Sequence, residues 1–396
     1  LVIAENLLPA ALKDAAIEEN NVKIIKLIPG KDLEGLAYEH PFLKDTITRK
    51  VVLADYVLSD EGTGLVHTAP GHGQEDYLTG LKYGLPILMP VDRQGRFDET
   101  AAEFRGQDVF SANKGIIEKL RSLNCLLFSG LETHSYPHCW RCKNPIIFRA
   151  SRQWFLDIGH NALRKRLLDT IKNDICFIPE SGRQRVSAMV ELRPDWCLSR
   201  QRYWGVPIPA LRCVSCQEEI LECAIVDIFA NKALRDGSDA WFKEDLKAFL
   251  PQNFSCPHCQ GREFTKGEDI LDVWFDSGVS YRAVLMADTT LEFPASLYLE
   301  GSDQHRGWFQ ASLITSIAIE EKAPFKAVLT HGFVVDREGR KMSKSSGNVI
   351  APQEIIKEYG ADILRLWAAS SNYNEDVRIS QDILSRLTDA YRKIRN

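Results

Sequence analysis

The chain has 396 residues, 44% hydrophobic and 26% charged, and its 49 basic and 54 acidic residues leave a net charge of −5. That length buries a sizeable core and should divide into two or more domains. No apolar run is long enough to cross a bilayer, no signal-peptide pattern is present, and the charge balance excludes binding of a polyanion by bulk charge, so any nucleic-acid contact must rest on a local patch.

The opening LVIAENLL reads as a strand entered without an initiating Met, which suggests a piece of something longer. Over the first ~150 residues apolar runs alternate with turn residues, as short strands and loops do. NVKIIKLIPG and GLPILMPV read as strands. EDYLTGLKYG reads as a short helix stopped by Gly84, and SANKGIIEKLRSLN as another, capped by Ser111. The middle holds RPDWCLSRQRYWGVPIP, where Arg200, Arg202, Tyr203 and Trp204 interleave charge and rings. That mixture suits RNA phosphates and stacked bases, and equally a packed helix-to-strand junction with cation–π contacts.

From about residue 270 strands and helices alternate. SLYLEG is a strand, HRGWFQASLITSIAIEE a long helix, and KAVLTHGFVV the next strand. PQEIIKEYG follows as a helix, with Pro352 at its start and Gly360 at its end. This alternation implies a parallel sheet flanked by helices, with ligands at the carboxyl ends of strands. The final QDILSRLTDAYRKIRN reads as an amphipathic helix whose partners are expected beyond the chain.

Of ten cysteines, six fall in three C-x-x-C pairs, which points to metal in a reducing compartment rather than disulfides. Cys213, Cys216, Cys256 and Cys259 make a four-thiolate zinc site. The stretch between the pairs exceeds the usual ~15–20 residues and should fold back as an insert; metal-free thiols are the alternative. Cys139 and Cys142 are a half site with no upstream pair. Cys125, Cys176, Cys197 and Cys223 read as core or incidental.

In YLEGSDQHRGWF a strand turns into a helix through Glu300, Gly301, Ser302, Asp303 and Gln304. A local reading makes Ser302 or Asp303 the helix cap and Gly301 an easy turn. A functional one lets the carboxylates hold an ammonium or ribose hydroxyls while Trp308 walls an apolar pocket. ILDVWFDSG supplies Trp274 and Asp276, although a Trp beside a turn is ordinarily core. In VDREGRKMSKSSGNV, Lys341 and Lys344 sit on a small-residue loop. Two loop lysines usually serve solubility, but on a pliable backbone they can also close over phosphates. No Walker loop is present.

Taken together, KMSKS, LEGSDQHRGWF, DVWFDSG and RPDWCLSRQRYWG make the chain resemble the class I aminoacyl-tRNA synthetases, and among them the isoleucyl family, over essentially its whole length. The resemblance implies an α/β fold: the second half of a Rossmann-like parallel-sheet catalytic domain with an inserted β-rich editing domain and a small zinc-binding insert. Residues 1–150 would be the C-terminal part of the editing domain, ending in the Cys139–Cys142 half site, 151–210 the return to the catalytic domain, and 211–268 the zinc insert. Residues 269–375 would carry the catalytic half with the KMSKS loop, and 376–396 the start of a helical anticodon-binding region.

The resemblance further implies activation of L-isoleucine by ATP with Mg2+, transfer to tRNA(Ile), structural Zn2+, and a cytoplasmic monomer without membrane contact. Lys341 and Lys344 would clamp the triphosphate, Lys344 as the direct ATP contact, with His331 near the nucleotide. Glu300, Gly301, Asp303 and Gln304 would bind the aminoacyl-adenylate, and Trp274 and Trp308 would line the side-chain pocket.

An apolar pocket separates side chains differing by one methylene by only about 10- to 200-fold, so the family adds a hydrolytic site. GTGLVHTAPGHGQEDY matches its signature, with Asp76 expected on the valyl ammonium and His67 on the ribose or attacking water. Locally, Asp76 is also an ordinary first-turn acid and His67 an ordinary strand-end residue. The family's H-x-G-H segment and threonine-rich editing stretch are absent from the sequence, so the chain alone is expected not to aminoacylate and to expose sheet edges. Rival readings are a valyl-type synthetase, a lone editing hydrolase, an RNA-binding zinc module and a small-molecule nucleotidyltransferase.

Overall fold

In the computed structural model, which describes residues 1–131, 133–139, 141–343 and 347–396, the chain falls into two units, Leu1–Arg152 and Gln153–Asn396. The second is organised by a sheet of three parallel strands in the order Tyr298–Gly301, Ala327–His331, Cys176–Ile178. Along Ala327–His331 every second side chain, Val328 and Thr330, turns inward, the period that packs one face of a pleated strand. The register sets Glu300 opposite Thr330 and Gly301 opposite His331. The α/β expectation and its parallel sheet therefore hold. As expected, Tyr298–Gly301 pairs on one side only among the described residues, with Leu299 half exposed.

The Trp308–Ile319 helix is buried almost all round, from Phe309 to Ile317, as a helix apolar on every face must be. Leu163–Asn173 packs beside it and in turn against Ser181–Glu191, and Leu167, Ile171 and Ile314 retain no accessible surface. Each such side chain contributes about 2 kcal/mol by burial.

The expected strand KAVLTHGFVV breaks at Gly332. A Cβ there would come within 2.2 Å of the Glu375 carbonyl oxygen, so only glycine admits the crossing chain. Beyond it Val334–Val335 leaves the sheet and pairs with Val377–Arg378.

Residues 211–268, the stretch expected as an insert, lie within the second unit. Leu211–Cys213 runs antiparallel between Glu219–Ile220 and Phe264–Lys266. The Cys223–Asp236 helix closes a core of its own over Phe229, Trp241 and Phe249. Pro352 opens the Pro352–Tyr359 helix and Gly360 ends it, as expected. The last helix, Gln381–Arg395, departs from expectation. Its apolar face meets partners inside the chain, Leu384 packing with Ile355, Ile363 and Ile379.

In the first unit Gln74–Tyr83 ends at Gly84, whose left-handed backbone (φ +63°) closes the helix as the sequence predicts. Three other expectations fail. Ser111 does not cap the Asn113–Ser122 helix; its hydroxyl donates to the Asp108 carboxylate instead, and Ala112 holds the cap position. LVIAENLL is no strand, because Pro9 in the first turn favours the Leu8–Asp14 helix. NVKIIKLIPG and GLPILMPV form no strands either. Among the described residues no neighbouring strand pairs with the first, whose Ile25 is 91% exposed, and Pro86 and Pro90 remove donors from the second. The regular ladder among the described residues here is the short pair Ala37–Tyr38 and Arg49–Lys50, so the β-rich reading of residues 1–150 gives way largely to loops.

Candidate active site

The carboxyl ends of two neighbouring strands put Glu300 and Gly301 beside Thr330 and His331. Glu300 is exposed and Gly301 buried. A Cβ on residue 301 would lie 2.8 Å from Asp303 Oδ1, 3.6 Å from His331 Cε1 and 3.9 Å from Phe333 Cε1. Those three side chains thus converge on bare backbone, where a Cβ would collide with the Asp303 carboxylate. Lys341 Nζ lies 4.0 Å from the centre of the Phe333 ring, a cation–π contact of about 0.5–1 kcal/mol that brings one loop cation to the strand end. Lys344, the expected second cation, lies outside the described residues.

Neither Ser302 nor Asp303 caps the long helix. The chain makes a 3-10 turn at Ser302–His305, and the helix starts at Trp308, whose amide donates to Gln304 Oε1 at 3.0 Å. Gln304 thus holds the helix start with its oxygen and donates from Nε2 to Asp303. Trp274 closes over the same turn, since a Cβ on Gly307 would lie 2.9 Å from its ring. Trp274 is half exposed rather than core. Trp308 stacks on Tyr298, with centroids 4.0 Å apart and planes 9° apart. Its indole N–H donates to Ser277 O (3.0 Å) and Ser280 Oγ (3.1 Å). Two indoles and an amide side chain therefore surround Gly307, with apolar surface on one side and a strand-end carboxylate nearby.

Three supporting residues escaped the sequence reading. Asp272 is buried and accepts from Trp196 Nε1 (3.0 Å), Arg200 Nη2 (2.7 Å) and the Trp274 amide (3.2 Å). It fixes the short helix Val273–Gly278 that carries Trp274, and an Asp two residues before a helical Trp was a readable cap signal. His305 is buried beneath the turn, its Nε2 3.0 Å from Thr330 Oγ1. Burial, with Arg185 adding to it, pushes its pKa down, so the ring is neutral near pH 7. Asp336 closes the base of the lysine loop, accepting from Arg340 Nε (3.0 Å) and Asn348 Nδ2 (2.9 Å). The Asn348 amide, and after it Arg340, hold the Asp336 carboxyl below its usual range against the cost of burial. On the other flank of the site, burial and the charge of Asp272 push Asp276 up.

In the insert the Sγ atoms of Cys213, Cys216, Cys256 and Cys259 all lie within 4.8 Å of one another, with Cys213–Cys259 and Cys216–Cys256 at 3.6 Å. Sulfurs on a zinc tetrahedron at ~2.3 Å would be about 3.8 Å apart, so the donor set fits that ion. The Cys216 amide draws Cys213 down to about 6. Although the Glu218 amide pulls Cys216 the other way, burial and the neighbouring sulfurs push it up to about 12. Crowded thiols with opposed shifts are what a cation would relieve. Cys139 and Cys142 gain no third donor of this kind among the described residues.

In the first unit Asp76 Oδ2 accepts the amide of Ala69 at 2.9 Å, tying the helix start to the segment two residues beyond His67. His67 is exposed, and no hydrogen bond joins it to Asp76 among the described residues.

Residues 3–380 match the profile of the class I tRNA synthetases (I, L, M and V). An isoleucine–tRNA ligase of Nitratidesulfovibrio vulgaris (strain DSM 19637 / Miyazaki F) is 54% identical over 99% of this chain and 42% of its own length. One of Thermotoga maritima is 50% identical over 100% of this chain and 43% of its own. The chain thus spans less than half the length of these curated relatives. With a crystal structure of a Mycobacterium tuberculosis methionyl-tRNA synthetase bound by methionyl-adenylate, the identity is 18% and the TM-score 0.42, over 64% of this chain and 40% of that one.

Proposed function

The chain belongs to the class I tRNA synthetase family, and on that premise we propose that its strand-end site activates L-isoleucine with ATP. In this reading a carboxylate oxygen of isoleucine attacks the α-phosphorus of ATP, the bond to the β-phosphate breaks, and pyrophosphate leaves with its Mg2+. A ribose hydroxyl at the end of tRNA(Ile) then attacks the mixed anhydride and AMP departs. Little covalent work falls to the protein; positioned charge and orientation do most of it.

Lys341 and Lys344 neutralise the charge that grows on the leaving phosphates, and His331 stands beside the nucleotide. Gly301 lets the adenylate approach the backbone, while Glu300, Asp303 and Gln304 hold its polar groups and the ammonium. Trp274 and Trp308 enclose the branched side chain. The single observation that carries this reading is the convergence of Asp303, His331 and Phe333–Lys341 on Gly301, one turn from the indoles around Gly307. Support for isoleucine as the amino acid comes from the whole-chain identity to isoleucine–tRNA ligases.

Zn2+ on the four cysteines stabilises the insert and takes no part in a chemical step. His67 and Asp76 belong to the hydrolytic site that removes valine, Asp76 as the ammonium holder. The protein works as a monomer in the cytoplasm. Among the described residues no helix is long and apolar enough to cross a membrane.

The test is a graft. In place of the matching segment of the Thermotoga maritima ligase, this chain should restore isoleucine-dependent ATP–pyrophosphate exchange, and Glu300→Ala should reduce it at least about 100-fold. Exchange indifferent to Glu300 would refute the assignment. As a check independent of the graft, the 396-residue chain should bind a non-hydrolysable isoleucyl-adenylate analogue and lose that binding with Glu300→Ala. By itself the chain should show no exchange.

A further inference from the structure

Between the Ser199–Arg200 strand and Pro207 the chain projects three consecutive exposed residues, Arg202, Tyr203 and Trp204. Their base is pinned on both sides. On the way out Arg200 is held by Asp272 at 2.7 Å, and Gln201 Nε2 donates to Asp269 Oδ1 at 3.0 Å and Gln153 Oε1 at 3.2 Å. On the way back Val206 O accepts the Leu271 amide at 2.7 Å, and the Ile208 amide donates to Asp269 O at 2.9 Å. Gly205 makes the return possible. Its φ is +154°, and a Cβ there would lie 2.4 Å from Ile270 Cδ1.

The tip is therefore presented from a fixed base. Tyr203 is fully exposed and Trp204 95% exposed. Among the described residues neither ring makes a ring contact or hydrogen bond, and Arg202 has no ion-pair partner. The ladder beneath leads straight from Leu271 into Asp272, which fixes the helix bearing Trp274. The bare rings thus stand on the same rib that carries one wall of the amino-acid pocket.

Two uncovered π faces beside an unneutralised guanidinium suit unpaired nucleotides, which offer a stacking face at every base and a phosphate between. We propose that Tyr203 and Trp204, flanked by Arg202, form a stacking platform for the unpaired 3′ end of the RNA that receives the amino acid. This deepens the reading given above and rests on it, because the acceptor end has to reach the strand-end site.

The test uses the zinc-loaded 396-residue chain, fluorescence anisotropy, and two labelled RNA hairpins, one with a four-nucleotide 3′ overhang and one blunt. The overhang hairpin should bind more tightly and quench indole fluorescence. Trp204→Ala and Tyr203→Ala should each weaken it about tenfold, the loss of one base–aromatic stack, and leave the blunt hairpin unchanged. Trp204→Phe should retain most of the affinity. Arg202→Gln should lower the slope of log K against log salt by about 0.7.

Equal binding of both hairpins, or alanine variants that bind the overhang like wild type, would overturn the platform. So would a concentration-dependent self-association that Trp204→Ala abolishes, since the rings would then serve a second copy. Binding of the isoleucyl-adenylate analogue is read on the same samples. If it persists while the overhang effect is absent, the platform alone fails; if it is absent in the wild type, the functional reading fails with it.

Discussion

The two units hold their candidate site residues in different ways. In Gln153–Asn396 three elements of the candidate site rest on something buried: Trp274 on Asp272, Trp308 on Tyr298, and the base of the lysine loop on Asp336. In Leu1–Arg152 the Asp76 carboxylate is itself spent on a backbone amide, and His67 stands in solvent. The difference follows from the cores. Helices with fully buried Leu167 and Ile314 brace the strand ends, whereas the first unit leaves apolar residues such as Ile25 and Leu78 exposed. A constellation is precise only when its supporting shell is packed.

The comparison can be broken most severely at the metal. Cys256→Ser should abolish stoichiometric zinc and cost the insert more than about 5 kcal/mol, since binding to such a site is folding free energy. Zinc content with the melting profile decides it. An unchanged melt would mean that the insert stands on its Phe229–Trp241–Phe249 core alone.

Next in size, Leu167→Ala should cost about 3 kcal/mol in urea unfolding, while Leu78→Ala in the first unit should stay within about 0.5 kcal/mol. Comparable losses would erase the contrast between the units. Asp272→Asn should cost about 2 kcal/mol by weakening the half-buried pair with Arg200 around a buried carboxylate. It should also raise the concentration of adenylate analogue needed for half-saturation by loosening Trp274. Titration alongside the melt separates the two effects.

The smallest effect is set by pH. The His305 pKa is lowered below 6.5 in the folded protein, so the unfolded chain binds the proton first on acidification. Stability from this residue is complete above about pH 6.5 and falls below it, by less than about 1.4 kcal/mol per pH unit. His305→Gln should flatten that part of the profile, and an unaltered slope would show that other groups carry it.

Much of the second unit was legible in the sequence. Pro352 and Gly360 marked a helix, the paired cysteines marked a four-sulfur cluster, and SLYLEG followed by an apolar run marked a strand entering a helix. The first unit was far less so. A strand needs a neighbouring backbone to bond with, and apolar runs such as NVKIIKLIPG carry no mark of whether one is present. The capping reading failed at Ser111 and Asp303 because the Ser111 hydroxyl is taken up by Asp108 and the Trp308 amide at the helix start by Gln304.

By itself the sequence determined the chemistry on offer: lysines on a small-residue loop, carboxylates at a strand end, indoles beside glycines, and paired thiols. These are local facts of residue type and spacing. Only the tertiary structure decided which of them meet. Parallel register sets Gly301 against His331, a glycine lets Trp274 close over the turn, and a buried carboxylate binds distant segments. Such contacts depend on through-space packing between residues that no short window of sequence brings together.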